Sequence, residues 1–271
     1  TGRLRIEQRF KDLKKAGRPG LVTFITANDP NKKISNEILK KLPSSGADII
    51  EIGMPFSDPM ADGPAIQASS LRALHNGNSM LDTLQMVKDF RAIDQQTPII
   101  LMGYFNPIYS YGTEKFVTDA ANSGVDGFIV VDLPPEESEM RKPVEKAGLS
   151  FIYLITPTTD NQRIPIITKY ASGFIYYVSV TGITGTVSAS SNDIEIALKK
   201  IRRHTDLPIA VGFGIDTREK AKEVGKHSEA VVVGSAFVNR ISENLSKDGT
   251  AKSGCVESVL SLVEDIADGI K

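Results

Sequence analysis

Ile34-Ser35-Asn36-Glu37-Ile38-Leu39-Lys40-Lys41-Leu42, closely followed by Asp48-Ile49-Ile50-Glu51-Ile52, decides the fold class of this 271-residue chain. In the first part Ile34, Ile38 and Leu42 fall on one face of a helix. The second part is a short, nearly continuous apolar run, the pattern of a parallel strand buried on both faces. Helix period gives way to strand within a few residues, and the same alternation spreads outward in both directions. Leu21-Val22-Thr23-Phe24-Ile25-Thr26 precedes it. Pro98–Met102, Gly127–Val131, Phe151–Ile155, Phe174–Val178, Pro208–Val211 and Ala230–Val233 follow. Amphipathic stretches lie between them, among them Met80–Phe90 with Leu81, Leu84, Val87 and Phe90, and Ile194–Ile201 with Ile194, Leu198 and Ile201.

Alternating strands and helices argue for parallel βα units. Eight of them in a chain of this length predict an α/β fold, a single (β/α)8 TIM barrel over residues 1–271, rather than an open doubly wound sheet. Two pieces fall outside the eight units. Ile6, Phe10 and Leu13 predict an extra N-terminal helix capping the barrel bottom. Ser235–Ile241 predicts a short extra helix after strand eight, before a final helix over Val256–Ile270. The polar loop 249–254 is not read as a domain boundary.

Composition excludes several function classes. The net charge of -1 provides no basic field for nucleic acid or anionic lipid. No apolar run is long enough to span a bilayer, and Thr1–Lys15 lacks the apolar core of a signal peptide, so a cytoplasmic protein is expected. The lone Cys255 excludes an internal disulfide and a thiolate zinc cluster. His75, His204 and His227 are assigned to three separate helical segments, with no metal-ligand spacing.

Barrel active sites lie at the C-terminal ends of the strands. There Glu51 stands between Ile50 and Ile52. A carboxylate in an apolar run is costly unless paired, protonated or functional. Its expected raised pKa suits proton transfer near neutrality, against the alternative of a structural partner for a rim lysine. The loop from Gly53 to Pro64 that follows is long, which favours function, and its three prolines restrict its backbone. Within it, Asp62-Gly63 reads equally as a turn or as a catalytic Asp. Gly212-Phe213-Gly214 after strand seven and Gly234-Ser235 after strand eight together suggest the phosphate site of this fold, turn punctuation being the alternative. The glycine- and hydroxyl-rich segment 181–192 reads as a lid or as a solvated loop, its place on the catalytic face favouring the lid. No lysine lies inside a strand run, which disfavours a Schiff-base aldolase. Carboxylate acid–base chemistry on a phosphorylated substrate remains, with an apolar pocket of Phe24, Tyr104 and Tyr176.

The segment 51–67, EIGMPFSDPMADGPAIQ, resembles the signature of tryptophan synthase α subunits. Leu101–Pro107, Asp132–Glu137, Gly182-Ile183-Thr184-Gly185, Gly212-Phe213-Gly214 and Val233-Gly234-Ser235 resemble that family too, so the likeness runs from the first strand to the last. The resemblance implies a lyase of tryptophan biosynthesis that splits indole-3-glycerol phosphate into indole and glyceraldehyde-3-phosphate. It implies catalytic carboxylates at Glu51 and Asp62, and an indole pocket of Phe24, Ile66, Tyr104 and Tyr176. Thr184 falls on the threonine of the mobile loop, and phosphate binding falls on Gly185, Phe213, Gly214, Gly234 and Ser235. It further implies an α2β2 heterotetramer with a pyridoxal-phosphate β subunit, contacted through 55–64 and Asn106-Pro107, and no cofactor or metal on this chain. One departure is visible: Ala27-Asn28-Asp29-Pro30 has Asn where the family usually has Gly. Asn tolerates a positive φ, so the turn is expected to survive. Two other readings stay open, another phosphate-binding barrel lyase or isomerase, and a non-catalytic partner of a β-like subunit.

Overall fold

The computed structural model describes residues 1–179, 191–212 and 214–271. Along the chain the strands are β1 (Gly20–Thr26), β2 (Ile49–Gly53), β3 (Ile99–Gly103), β4 (Gly127–Val130), β5 (Ser150–Phe151), β6 (Tyr153–Ile155), β7 (Ile175–Val178), β8 (Ile209–Gly212) and β9 (Ala230–Val233). The helices are α1 (Gly2–Ala16), α2 (Lys32–Ser45), α3 (Pro64–His75), α4 (Met80–Arg91), α5 (Phe105–Tyr111) and α6 (Thr113–Ser123). They continue with α7 (Ser138–Lys146), α8 (Arg163–Tyr170), α9 (Ser191–Arg202), α10 (Arg218–Gly225), α11 (Ser235–Glu243) and α12 (Cys255–Asp268). None of the described helices is long and apolar enough to cross a membrane.

All pairings are parallel, in the order β5-β4-β3-β2-β1-β9-β8-β7-β6. The fifth predicted strand is split: β5 pairs with β4, β6 pairs with β7, and Ile152 between them donates its N–H to the Phe128 carbonyl at 2.9 Å. Because β5 and β6 are consecutive pieces of one run, the two sheet edges meet and the sheet closes into the expected barrel. The predicted extra helices are present as α1 and α11.

Side chains alternate across each strand, so closure sorts them into an inner and an outer core. Val22, Ile49, Ile100, Ile129, Ile152, Phe174, Ala210, Ala230 and Val232 fill the interior, plugged from below by Ile6, Phe10 and Leu13 of α1. Two residues further along, the same inward rows carry Phe24, Glu51, Met102, Val131, Tyr176, Gly212 and Gly234. The upper layer of the barrel thus holds Glu51 and Tyr176, and the lower layers are hydrocarbon. At the base, acidic side chains take strand N–H groups: Asp48 from Leu21 and Asp126 from Ile99, each at 2.8 Å. Arg18 binds Asp48 through both nitrogens at 2.9 Å, while Arg91 and Arg5 bind Asp126.

Two sequence assignments change. Leu81 does not share the buried face of α4: it is 64% exposed, whereas Leu84, Val87 and Phe90 are buried. Steps of three residues drift by roughly 60° each on a helix, so Leu81 ends up opposite Phe90. His204 and His227 lie in turns just beyond α9 and α10 rather than in helices; only His75 is helical. Asn28 does adopt a positive φ of 61°, so the turn before Asp29-Pro30 is kept without glycine.

Candidate active site

Glu51 points inward from the middle of β2, beside Phe24 of β1 in the ladder. It is 1% exposed, and its Oε1 has no hydrogen-bond partner. Burial disfavours the charged form, and the Glu51 pKa rises to about 8. The rim-lysine alternative is therefore not what the fold builds: among the described residues no cation pairs with Glu51. Tyr176 stands close by on β7, its hydroxyl ionisation pushed up by burial and by the Glu51 charge. A Cβ added at Gly212 would lie 2.7 Å from the Tyr176 hydroxyl, so glycine is what lets the ring occupy this place.

Asp62 comes from the loop between β2 and α3. Its backbone is a turn, with its N–H bonded to the Pro59 carbonyl at 3.0 Å and its carbonyl accepting from Gln67 Nε2 at 2.7 Å. The turn reading of Asp62-Gly63 is thus present in the backbone, and Asp62 also lines a cavity. Burial raises the Asp62 pKa, opposed by a hydrogen bond from Tyr104. The Tyr104 hydroxyl in turn accepts the Ala61 N–H at 3.0 Å and is itself raised to about 12, mainly by burial and then by Asp62. Phe56 packs on the Tyr104 ring with centroids 5.2 Å apart. The loop is thus tied to β3 at the residue beside its carboxylate.

Phe24, Asp62, Ile66 and Tyr104 meet at one small cavity of about 20 Å³. The Phe24 ring fits there because its neighbours are glycines: a Cβ at Gly53 would sit 2.6 Å from the ring, and one at Gly234 would sit 3.2 Å from the Phe24 Cβ. Tyr176 is not among the lining residues; it belongs with Glu51. Met54, Met102, Val131, Thr26 and Ser70 also line the cavity and were missed in the sequence. Counting in twos from Ile100, Ile129 and Phe24 would have found Met102, Val131 and Thr26. No local signal marks Met54.

At the ends of β8 and β9, Gly214 has a φ of 70° and Gly234 caps the start of α11, whose first residue is Ser235. A helix N-terminus presents free N–H groups and a favourable dipole to an anion. Thr184, Gly185 and Phe213 lie outside the described residues, as does the predicted lid up to residue 190.

The model of the tryptophan synthase alpha chain family matches residues 10–270. The chain belongs to the tryptophan synthase alpha chain family. Tryptophan synthase subunit alpha from Legionella pneumophila str. Paris is 37% identical, with a TM-score of 0.89 over 98% of this chain and 97% of that one. A chain from Aquifex aeolicus VF5 is 37% identical, with a TM-score of 0.88 over 98% and 99%. Tryptophan synthase from M. tuberculosis, in an open form, is 28% identical, with a TM-score of 0.85 over 98% of both chains. The activity of the family is the lyase half-reaction of tryptophan synthesis, retro-aldol cleavage of indole-3-glycerol phosphate to indole and glyceraldehyde-3-phosphate.

Proposed function

We propose that Glu51 is the single acid–base group of this cleavage and that Asp62 stabilises the charge that develops on the indole ring. The observation that carries the reading is a buried, unpaired carboxyl with a pKa near 8. At neutral pH Glu51 holds its proton and gives it to C3 of the indole ring, leaving an iminium at the ring nitrogen. The resulting carboxylate takes the proton of the glycerol hydroxyl next to C3. The C–C bond breaks, its electrons return to the ring, and the hydroxyl carbon becomes the aldehyde. Glu51 ends protonated, as it began. Such a positioned group contributes roughly 10²–10⁴-fold. Asp62 accepts the ring N–H, and its bond from Tyr104 helps it remain ionised where burial opposes charge.

Phe24, Ile66, Tyr104 and Tyr176 are assigned to the indole ring, and Thr184 to the loop that closes over it. Gly185, Phe213, Gly214, Gly234 and Ser235 are assigned to the phosphate. Phosphate binding does no chemistry; it holds the reacting carbon in register. A β subunit is the proposed partner and an α2β2 heterotetramer the proposed assembly, supported by the likeness to tryptophan synthase from M. tuberculosis. Asn106 and Pro107, expected in a loop, lie in α5; the exposed Met60 of the 55–64 loop and Tyr109 of α5, 90% and 61% accessible, suit that docking face. We assign the chain as a single domain, and a cytoplasmic location agrees with one buried free thiol, Cys255.

Indole release from indole-3-glycerol phosphate, by wild type and Glu51→Gln, each alone and with a β subunit, tests the assignment. Turnover by wild type, faster with β, and its loss in a folded Glu51→Gln support it. No indole under either condition would leave a different phosphorylated substrate or a purely activating role.

A further inference from the structure

We infer that Thr26 is a positioning residue for Asp62, its hydroxyl donating to the Asp62 carboxylate once substrate occupies the pocket; this rests on the role of Asp62 proposed above. Thr26 ends β1 and, two residues beyond Phe24, faces the barrel interior. It is 1% exposed, and its Oγ1 has no hydrogen-bond partner. Its partner across the β1–β2 ladder is Gly53, which brings no side chain over the hydroxyl. A buried hydroxyl without a partner lowers stability, and such groups recur where function needs them.

The same cavity that Thr26 lines is lined by Asp62, Ser70 and Tyr104. Among the described residues, Asp62 supplies the only carboxylate in that wall. Tyr104 is already engaged, accepting from Ala61 and bonding to Asp62, which leaves Asp62 room for a second donor. The cavity, about 20 Å³, holds roughly one water and not an indole ring. The cavity must therefore widen for an indole ring to enter, and a shift of the loop bearing Met54 and Asp62 against β1 would widen it. A donor that is buried and unbonded before that shift is available to the carboxylate after it. A charge-assisted O–H···O⁻ bond would then aim Asp62 at the ring nitrogen.

The test compares Thr26→Val, which keeps shape and removes the hydroxyl, with Thr26→Ser, which keeps the hydroxyl. For Thr26→Val we expect kcat to fall about 10-fold with KM within about 2-fold of wild type, and a melting temperature no lower than wild type. Thr26→Ser is expected to keep kcat within about 3-fold. Unchanged kcat in Thr26→Val, a rise in KM alone, or a Ser variant as slow as Val would overturn the inference. So would an equal loss of rate and melting temperature, which marks a structural role. Wild-type turnover that depends on Asp62, measured with Asp62→Asn in parallel, separates failure of this inference from failure of the role given to Asp62.

Discussion

The base and the rim of the barrel both bury carboxylates, and they treat them oppositely. Asp126 at the base has a fully buried side chain held by Arg91, by Arg5 and by the Ile99 N–H. Glu51 at the rim is as deeply buried, with one oxygen bonded to nothing. Burial raises both acids, but at Asp126 the two guanidiniums oppose it and the pKa stops at about 6, whereas at Glu51 nothing opposes it and the pKa reaches about 8. Pairing, not depth, separates a structural acid from one free to exchange protons. Charge at the base ties α1 and α4 to the strand starts; at the rim burial keeps the Glu51 carboxyl in its neutral form up to about pH 8.

Breaking the rim should give the largest effect. Glu51→Gln is expected to lower indole formation by about 10²–10⁴-fold in steady-state assays. The same variant should alter the pH dependence of stability. The folded pKa of Glu51, about 8, lies above its ordinary value of 4.5, so its stabilising contribution is present below about pH 4.5 and lost as pH rises to about 8. Denaturant titrations should therefore find Glu51→Gln gaining on wild type across that window, by on the order of a few kcal/mol at pH 9. A constant difference from pH 5 to pH 9 would show that Glu51 is not held protonated.

Breaking the base should cost stability and spare chemistry. Asp126→Ala leaves two guanidiniums and the Ile99 N–H without their acceptor, and should destabilise by about 3–5 kcal/mol in urea melts. The kcat of its folded fraction should stay near wild type; a proportional loss would mean that the two ends are coupled. Gly212→Ala forces a Cβ to within 2.7 Å of the Tyr176 hydroxyl and 2.9 Å of the Val232 Cβ. It should cost about 1–3 kcal/mol of stability and lower the rate as well, because the displaced ring adjoins Glu51. Arg18→Ala should do least, about 1–2 kcal/mol without effect on kcat, since Arg18 is partly solvated and Asp48 keeps the Leu21 N–H.

Most of this site could be read along the chain, though unevenly. Glu51 stood out because an acid inside an apolar run is rare for energetic reasons, and burial bears that out. Asp62 was visible as a carboxylate in a loop stiffened by proline, but its bond from Tyr104 was not, because those residues are far apart in sequence. Thr26 and Met102 emerge only when inward positions are counted in twos along their strands, and Met54, just beyond β2, carries no local signal at all. Leu81 was misplaced for the related reason that three-residue spacing imitates a helix face over one turn and departs from it over three.

The sequence by itself determined the order of strands and helices, the extra helices at each end, and the positive-φ turn at Asn28. These depend on local period and on the conformations open to single residues, which short stretches of chain already possess. Only the tertiary structure decided which side of each strand became the interior, that base acids found arginines while Glu51 found none, and that Phe24 and Tyr176 rest against glycines. Those outcomes depend on closing the sheet, because strands apolar on both faces carry no sign of inside or outside until their neighbours arrive.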